Sequence, residues 1–197
     1  MLKDKKIIIL AMVAIIAMSM TAAGMAAIAV PTGWYVEGNG GTSKTSDVNP
    51  VGTSLDGTGF GWNVNLGFKF MPYFATEVGY THYAKADITA GPTIATDTSY
   101  AYDFALKGLL PVIDSGINFF AKIGIARIMN HIVNNNPNVG TVGNAGEHSS
   151  TSMYYGLGGE YAITPQLLGV LQWGRAKGNG DTGTLDLYSA GLAYIFD

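Results

Sequence analysis

Charged residues make up 13% of this 197-residue chain, while Gly occupies 27 positions and aromatics 11%. Soluble domains carry about 25% charge, so the composition suits a water-facing surface poorly. A formal net charge of −3 gives no electrostatic reason to bind nucleic acid, and the absence of cysteine excludes disulfides, thiolate nucleophiles and a lipidated Cys anchor.

The chain opens with MLKDKK, a short basic leader. An apolar run, IIILAMVAIIAMSM, follows, and then the small-residue stretch TAAGMAAIA, in which Ala27-Ile28-Ala29 fits an A-x-A cleavage site. This reads as a secretory signal peptide over residues 1–29. The competing reading is a retained transmembrane helix, because residues 7–30 are uncharged and long enough to span a bilayer. Cleavage after Ala29 would remove Lys3, Asp4, Lys5 and Lys6, net +2, and take the formal charge from −3 to −5.

Beyond Val30 the apolar residues recur with period two, in stretches of about ten separated by Gly, Asn, Asp, Ser, Thr and Pro, which predicts strands. They lie near 33–41, 58–70, 74–86, 98–110, 117–129, 151–163, 167–176 and 185–196. The connections near 42–57, 87–97 and 130–150 are long and that near 177–184 is intermediate, whereas MPY, LPVIDSG and TPQ are tight. Eight strands, with short turns at one end and long loops at the other, predict a closed all-β antiparallel up-and-down transmembrane barrel over residues 30–197. Closure matters because lipid offers no partner to an open sheet edge.

Alternation alone does not say which face meets lipid, since a soluble barrel with an apolar interior has the same period. Side-chain identity decides it. In phase, one set of positions holds Trp34, Phe60, Trp62, Phe68, Phe70, Phe74, Tyr80, Tyr100, Tyr102, Phe104, Phe119, Tyr155, Tyr161, Trp173, Tyr188, Tyr194 and Phe196, together with many aliphatics. That bulk does not fit inside eight strands. The other set holds Glu37, Asn39, Asn63, Asn65, Gly67, Lys69, Glu77, Gly79, Asp103, Lys107, Asn118, Lys122, Gly124, Gly156, Gly158, Glu160, Gln172, Gly174, Ser189 and Gly191. Glycines make room in a crowded lumen, where Lys69, Lys107 and Lys122 can neutralise Glu37, Glu77, Asp103 and Glu160. Trp34, Tyr73, Trp173 and Tyr194, near strand ends, suit interfacial girdles, and Arg127, on the outward set, can snorkel to headgroups.

From Gly33 to Phe196 the chain resembles the transmembrane domain of the outer membrane protein A (OmpA) family. The resemblance is carried by GWY at 33–35, FMPYFATEVGY at 70–80, ALKGLLPVIDSGINFFAKIG at 105–124, GGEYAITPQ at 158–166 and AGLAYIF at 190–196. It implies an integral protein of a Gram-negative outer membrane with both termini in the periplasm, surrounded by outer-membrane lipids. It also implies a lumen salt-bridge network that includes Glu77, Lys107, Lys122 and Glu160. Val170 stands where the family has an inward Arg, so Glu37 and Lys69 are expected to fill part of the network. The peptidoglycan-binding domain that follows the barrel in full-length members is not expected here. The barrel assembly machinery would read the C-terminal strand at Phe196, which Asp197 follows here.

Three motifs could carry other chemistry. GNGDTG at 178–183 matches G-x-G-x-x-G, but a dinucleotide site needs it between a strand and a helix, and here it falls between two strands of a hairpin. His82, His131 and His148 lack the same-face spacing of a metal site. His148 and Ser150 stand two residues apart, as in some lipid-modifying barrels, yet alternation turns the adjacent Glu147 to the opposite face, away from the orienting role a triad needs. The reading that emerges is a non-enzymatic barrel, without cofactor or metal, that supports the envelope and displays loops as a surface antigen or adhesion-type protein to host or phage ligands. A narrow pore and a lipid-modifying enzyme using His148 and Ser150 are the alternatives.

Overall fold

The computed structural model describes residues 30–46, 54–89, 93–112, 115–134, 146–179 and 182–196. The leader expected over residues 1–29 lies outside them, as do parts of the long connections. The strands are β1 (Gly33–Ser46), β2 (Ser54–Met71), β3 (Phe74–His82), β4 (Ala86–Thr89), β5 (Thr93–Pro111), β6 (Ile117–Asn134), β7 (Gly146–Ala162), β8 (Leu167–Lys177) and β9 (Thr184–Ile195). Each pairs antiparallel with its neighbours, and β9 pairs back onto β1 from Tyr35↔Ile195 to Ser46↔Thr184, which closes the sheet.

Nine segments make eight staves, because β3 and β4 both run between β2 and β5. The single strand expected over 74–86 is interrupted at residues 83–85. There the Tyr83 amide donates to the Ser99 carbonyl at 3.0 Å and the Ala84 amide to Ser43 Oγ at 2.7 Å, which turns both buried side chains inward.

The tight turns share one end of the barrel with Val30 and Phe196. Pro72 and Tyr73 join β2 to β3, Gly116 at φ 69° leads into β6, and Thr164 Oγ1 accepts the Leu167 amide at 3.0 Å before β8. We call this the turn end and the opposite one the loop end. The loop end is more regular than the sequence suggests. Pairing continues to Thr89↔Thr93 across β4 and β5, to Ala95↔Asn134 across β5 and β6, and to Ile132↔Gly146 across β6 and β7. Backbone pairing therefore takes up much of the connections expected near 87–97 and 130–150, because ladder hydrogen bonds tolerate the polar side chains there.

Outward positions of β2 follow the expected alternation, with Phe60 70%, Val64 45%, Leu66 43% and Phe70 41% exposed. Large apolar side chains are similarly exposed around the whole wall, including Phe104, Leu110, Phe119, Ile123, Ile125, Leu157 and Leu192. A soluble monomer rarely leaves more than a few hundred Å² of contiguous apolar surface in water. Rings collect towards both ends. Trp34–Phe68 (5.0 Å) and Tyr194–Phe196 (5.3 Å) lie at the turn end, and Trp62–Tyr80 (5.5 Å), Tyr80–Tyr102 (5.2 Å) and Tyr155–Trp173 (5.8 Å) lie towards the loop end.

Candidate functional site: the plugged lumen

The lumen has three layers. At the turn end Tyr35, Leu109, Phe120, Leu168, Val170 and Ile195 form an apolar cluster; at the loop end Tyr83, Ile128, Tyr154, Leu185 and Leu187 form a second. Charged and amide side chains fill the space between. The polar residues of the lumen are evident from the sequence, but these apolar plugs escape it, because Tyr35 or Phe120 reads as one more member of an aromatic run. Cross-strand glycines are the signal that marks them. The Tyr35 ring covers Gly67, the Phe120 ring covers Gly158 and Tyr154 covers Gly174, and none of these glycines could carry a Cβ without displacing the ring.

The charged layer is held by five strands. Glu37 comes from β1, Glu77 from β3, Lys107 from β5, Lys122 from β6 and Glu160 from β7. Small cross-strand neighbours give these side chains room: Gly67 and Ala105 flank Glu77, and Ala193 flanks Glu37. Lys107 Nζ lies 3.5 Å from Glu37, 3.4 Å from Glu77 and 3.1 Å from Glu160, while Lys122 Nζ lies 3.5 Å from Glu37 and 2.6 Å from Glu77. All five are at least 95% buried. Lys107 and Lys122 stand directly opposite each other in the β5–β6 register, an unfavourable pairing that the interposed carboxylates offset.

Neutral groups add further hydrogen bonds, although Glu37 Oε2 and Asn39 Oδ1 receive none among the described residues. Tyr35 donates to Glu77 at 2.5 Å, and Asn39 and Asn65 donate to Glu37 Oε1 at 2.8 and 3.0 Å. Lys122 donates to Gln172 at 3.0 Å, Asn118 to Glu160 at 3.1 Å, and Asn39 to Asn63 at 2.9 Å. The ammonium of Lys107 also lies 4.3 Å from the centre of the Phe120 ring, within cation–π range. Glu160, paired in register with Val170, is met by Lys107 in place of an Arg on β8.

Two of the seven charged residues singled out from the sequence stand apart from this cluster. Lys69 is buried towards the turn end, where it donates to the Val30 carbonyl at 3.4 Å and makes no ion pair among the described residues. Its position close to the strand end puts the entering chain nearer than the carboxylates. Asp103 is buried on the loop side, packed over Gly79 beside Asn65, and likewise makes no ion pair among the described residues. It lies four residues beyond Lys107 on β5, with Ala105 between them on the inward face, closer to the loop-end apolar cluster.

Two small voids flank the charged layer. One void, lined by Tyr35, Lys69, Lys107, Glu160 and Leu168, lies on the turn side of the charged layer; another, lined by Asn63, Tyr83, Tyr154, Gln172 and Leu187, lies on the loop side. Each has a volume of about 10 Å³, the lower limit for one water molecule. At the loop end the β8–β9 turn folds inward. Thr182 is fully buried, its hydroxyl 2.7 Å from Ser150 Oγ, and its carbonyl accepts from Asn130 at 3.3 Å. Asn179 and Gly183 (φ 67°) close this turn with a backbone bond of 2.8 Å, so the residues of GNGDTG that are described sit between two strands.

The other singled-out residues fall as follows. His148 and Ser150 face inward on β7 and Ser150 also lies 3.5 Å from Ser152, whereas Glu147 faces outward, 3.9 Å from His131. Arg127 faces outward and donates to Ser149 at 2.8 Å and Thr151 at 3.2 Å. Among the described residues no three His, Asp or Glu side chains converge to hold a metal ion. One cluster was not foreseen, since it depends on register: outward-facing Arg175 and Asp186 are cross-strand partners joined by two hydrogen bonds.

Comparison with known proteins agrees with this architecture. Residues 8–196 match the family described as outer membrane protein beta-barrel domain. Over 96 residues the chain is 30% identical to outer membrane protein P5 of Haemophilus influenzae, a match that spans 47% of this chain and 27% of that relative. Neisserial surface protein A superposes with a TM-score of 0.58 at 18% identity, over 84% of this chain and 98% of that structure. OprG of Pseudomonas aeruginosa superposes with a TM-score of 0.60 at 12% identity, over 85% and 98%. At such identities the superpositions speak for the fold, and the family match for the membrane. The chain belongs to the outer membrane protein beta-barrel domain family and resides in the outer membrane as a closed eight-stranded barrel.

Proposed function

We propose that this barrel is a closed, non-enzymatic anchor that stabilises the envelope and holds its loop end at the cell surface, with both termini in the periplasm. The observation that supports this most directly is the filled lumen. An ion entering it would meet the inward β8–β9 turn, an apolar cluster, five paired charges and a second apolar cluster, with voids of only about 10 Å³ on either side. The strand extensions at the loop end carry polar, exposed side chains such as Glu147, Ser149 and Thr151, a surface for meeting host or phage ligands. Neisserial surface protein A bears a surface role in its name, which fits the same reading. Assembly would proceed through the C-terminal strand, whose Phe196 amide bonds the Trp34 carbonyl at 2.8 Å and so joins the last strand to the first.

Planar-bilayer recording of the refolded protein tests the closed lumen and should be silent; stable conductance abolished by Lys107→Gln would establish the narrow pore instead. The chain has no native Cys, so Lys85→Cys, exposed at the loop end, reports orientation. Labelling by an impermeant maleimide in intact cells is expected, and labelling only after lysis would reverse the topology. The acyl composition of lipid A should be the same with and without the protein, and a change that requires Ser150 would install the enzyme.

A further inference from the structure

We propose that Lys44, Arg175 and Lys177, on the outward wall at the loop end, bind the phosphate groups of an anionic lipid of the outer leaflet. The register sets these residues in rows across adjacent strands. The row Thr42, Tyr188, Trp173, Leu157 carries the indole and phenol rings, whose centroids are 6.5 Å apart. The next row, two residues further out, is Lys44, Asp186, Arg175, Tyr155, and beyond it lie Ser46, Thr184 and Lys177. Each step of two residues advances about 7 Å along a strand. The cations thus stand immediately beyond the aromatic row, at the level where phosphate-bearing headgroups begin.

This arrangement is built as well as charged. Asp186 points outward from the barrel yet is only 3% exposed, because its neighbours enclose it. Arg175 Nε donates to Oδ1 at 2.7 Å and Nη2 to Oδ2 at 2.8 Å, and Trp173 Nε1 donates to Oδ1 at 2.9 Å. The guanidinium is further held 5.4 Å from the Trp173 ring centre. Asp186 therefore fixes Arg175, whose side chain stays one-third exposed with the hydroxyl of its cross-strand partner Tyr155 as a further hydrogen-bond neighbour. A guanidinium fixed in this way matches a phosphate oxygen pair at little ordering cost. Lys44 and Lys177 are exposed and make no ion pair among the described residues, so on the described part of this wall three cations stand with one carboxylate, Asp186. Trp173 and Tyr188 below them would contact the lipid's sugar or acyl portion, which favours a lipid over a free anion.

The inference rests on the orientation proposed above, which the Lys85→Cys labelling tests separately. Its own test is native mass spectrometry of the full chain in detergent, titrated with bis-phosphorylated lipid A and with the same lipid stripped of phosphate. The phosphorylated form should bind at least tenfold more tightly. Each cation near an anionic lipid surface is worth about fivefold, so Lys44→Gln/Lys177→Gln should weaken binding by about 25-fold. Heat-dependent electrophoretic mobility reports folding, and if the double variant misfolds, Lys44→Gln alone should show the fivefold loss. Equal binding of the stripped lipid, or an unaffected double variant, overturns the proposal; complete displacement by millimolar inorganic phosphate overturns its assignment to a lipid.

Discussion

Replacing Lys107 by Met tests the account of the lumen most sharply. The five-member cluster holds Glu37, Glu77 and Glu160 against Lys107 and Lys122, a net charge of −1, and Lys107 touches all three carboxylates, the nearest at 3.1 Å. Without it the cluster stands at −2. Lys122 still serves Glu37 and Glu77, but among the described residues Glu160 keeps only Asn118. Removing one partner of a buried pair costs about 3–5 kcal/mol, mostly because the other charge stays desolvated, and Met, though similar in length, supplies no compensating donor. Urea unfolding in lipid vesicles, followed by the fluorescence of the outward-facing Trp34, Trp62 and Trp173, measures the loss. Adding Glu160→Gln restores the −1 balance, so the double variant should recover at least half of it, a coupling that a double-mutant cycle isolates. A loss below about 1 kcal/mol for Lys107→Met, or a double variant less stable than the single, would refute the reasoning.

Two further substitutions test the packing and the membrane face. Gly158→Val would drive a branched side chain into Phe120 and the Leu171 carbonyl, at a cost of about 1–3 kcal/mol; adding Phe120→Ala should return part of it in the same urea titration, and no recovery would show that the backbone contact dominates. Leu106→Arg, on the outward wall of β5 opposite Thr76 and Ile123, should cost about 2–4 kcal/mol at mid-bilayer, whereas Met129→Arg, one outward step beyond Arg127, should cost about 1 kcal/mol or less. Equal costs would mean that the apolar belt extends beyond Arg127.

The outward face was readable because it obeys one rule: at every second position a large apolar side chain meets lipid, as Phe60 to Phe70 show. The polar lumen residues were readable for the converse reason, since Asn63 or Lys107 has no other place on such a strand. The partners of each charge were not readable. Lys69 and Asp103 occupy inward positions like Lys107, yet their height in the barrel separates them from the cluster, and height depends on register and stagger, not on alternation. The break at residues 83–85 was hidden for a similar reason, because Tyr83 keeps the phase of an unbroken strand. The Arg175–Asp186 pair lies eleven residues apart across a turn, and only the β8–β9 register brings it together.

The lumen and the outer rim meet the same constraint in different ways. Lipid cannot solvate a charge on the wall, so the five clustered lumen charges are paired across strands, while Lys69 leans on the Val30 carbonyl instead. This limits the lumen to nearly equal numbers: Lys69, Lys107 and Lys122 against Glu37, Glu77, Asp103 and Glu160. At the rim that limit is lifted, because headgroups are within reach. Among the described residues Lys44, Arg175 and Lys177 stand there with one carboxylate, and that carboxylate is spent on fixing Arg175. Cations placed where the wall leaves the apolar belt can take counter-charge from outside the molecule, and the anions available at that depth are those of the lipids, as proposed above.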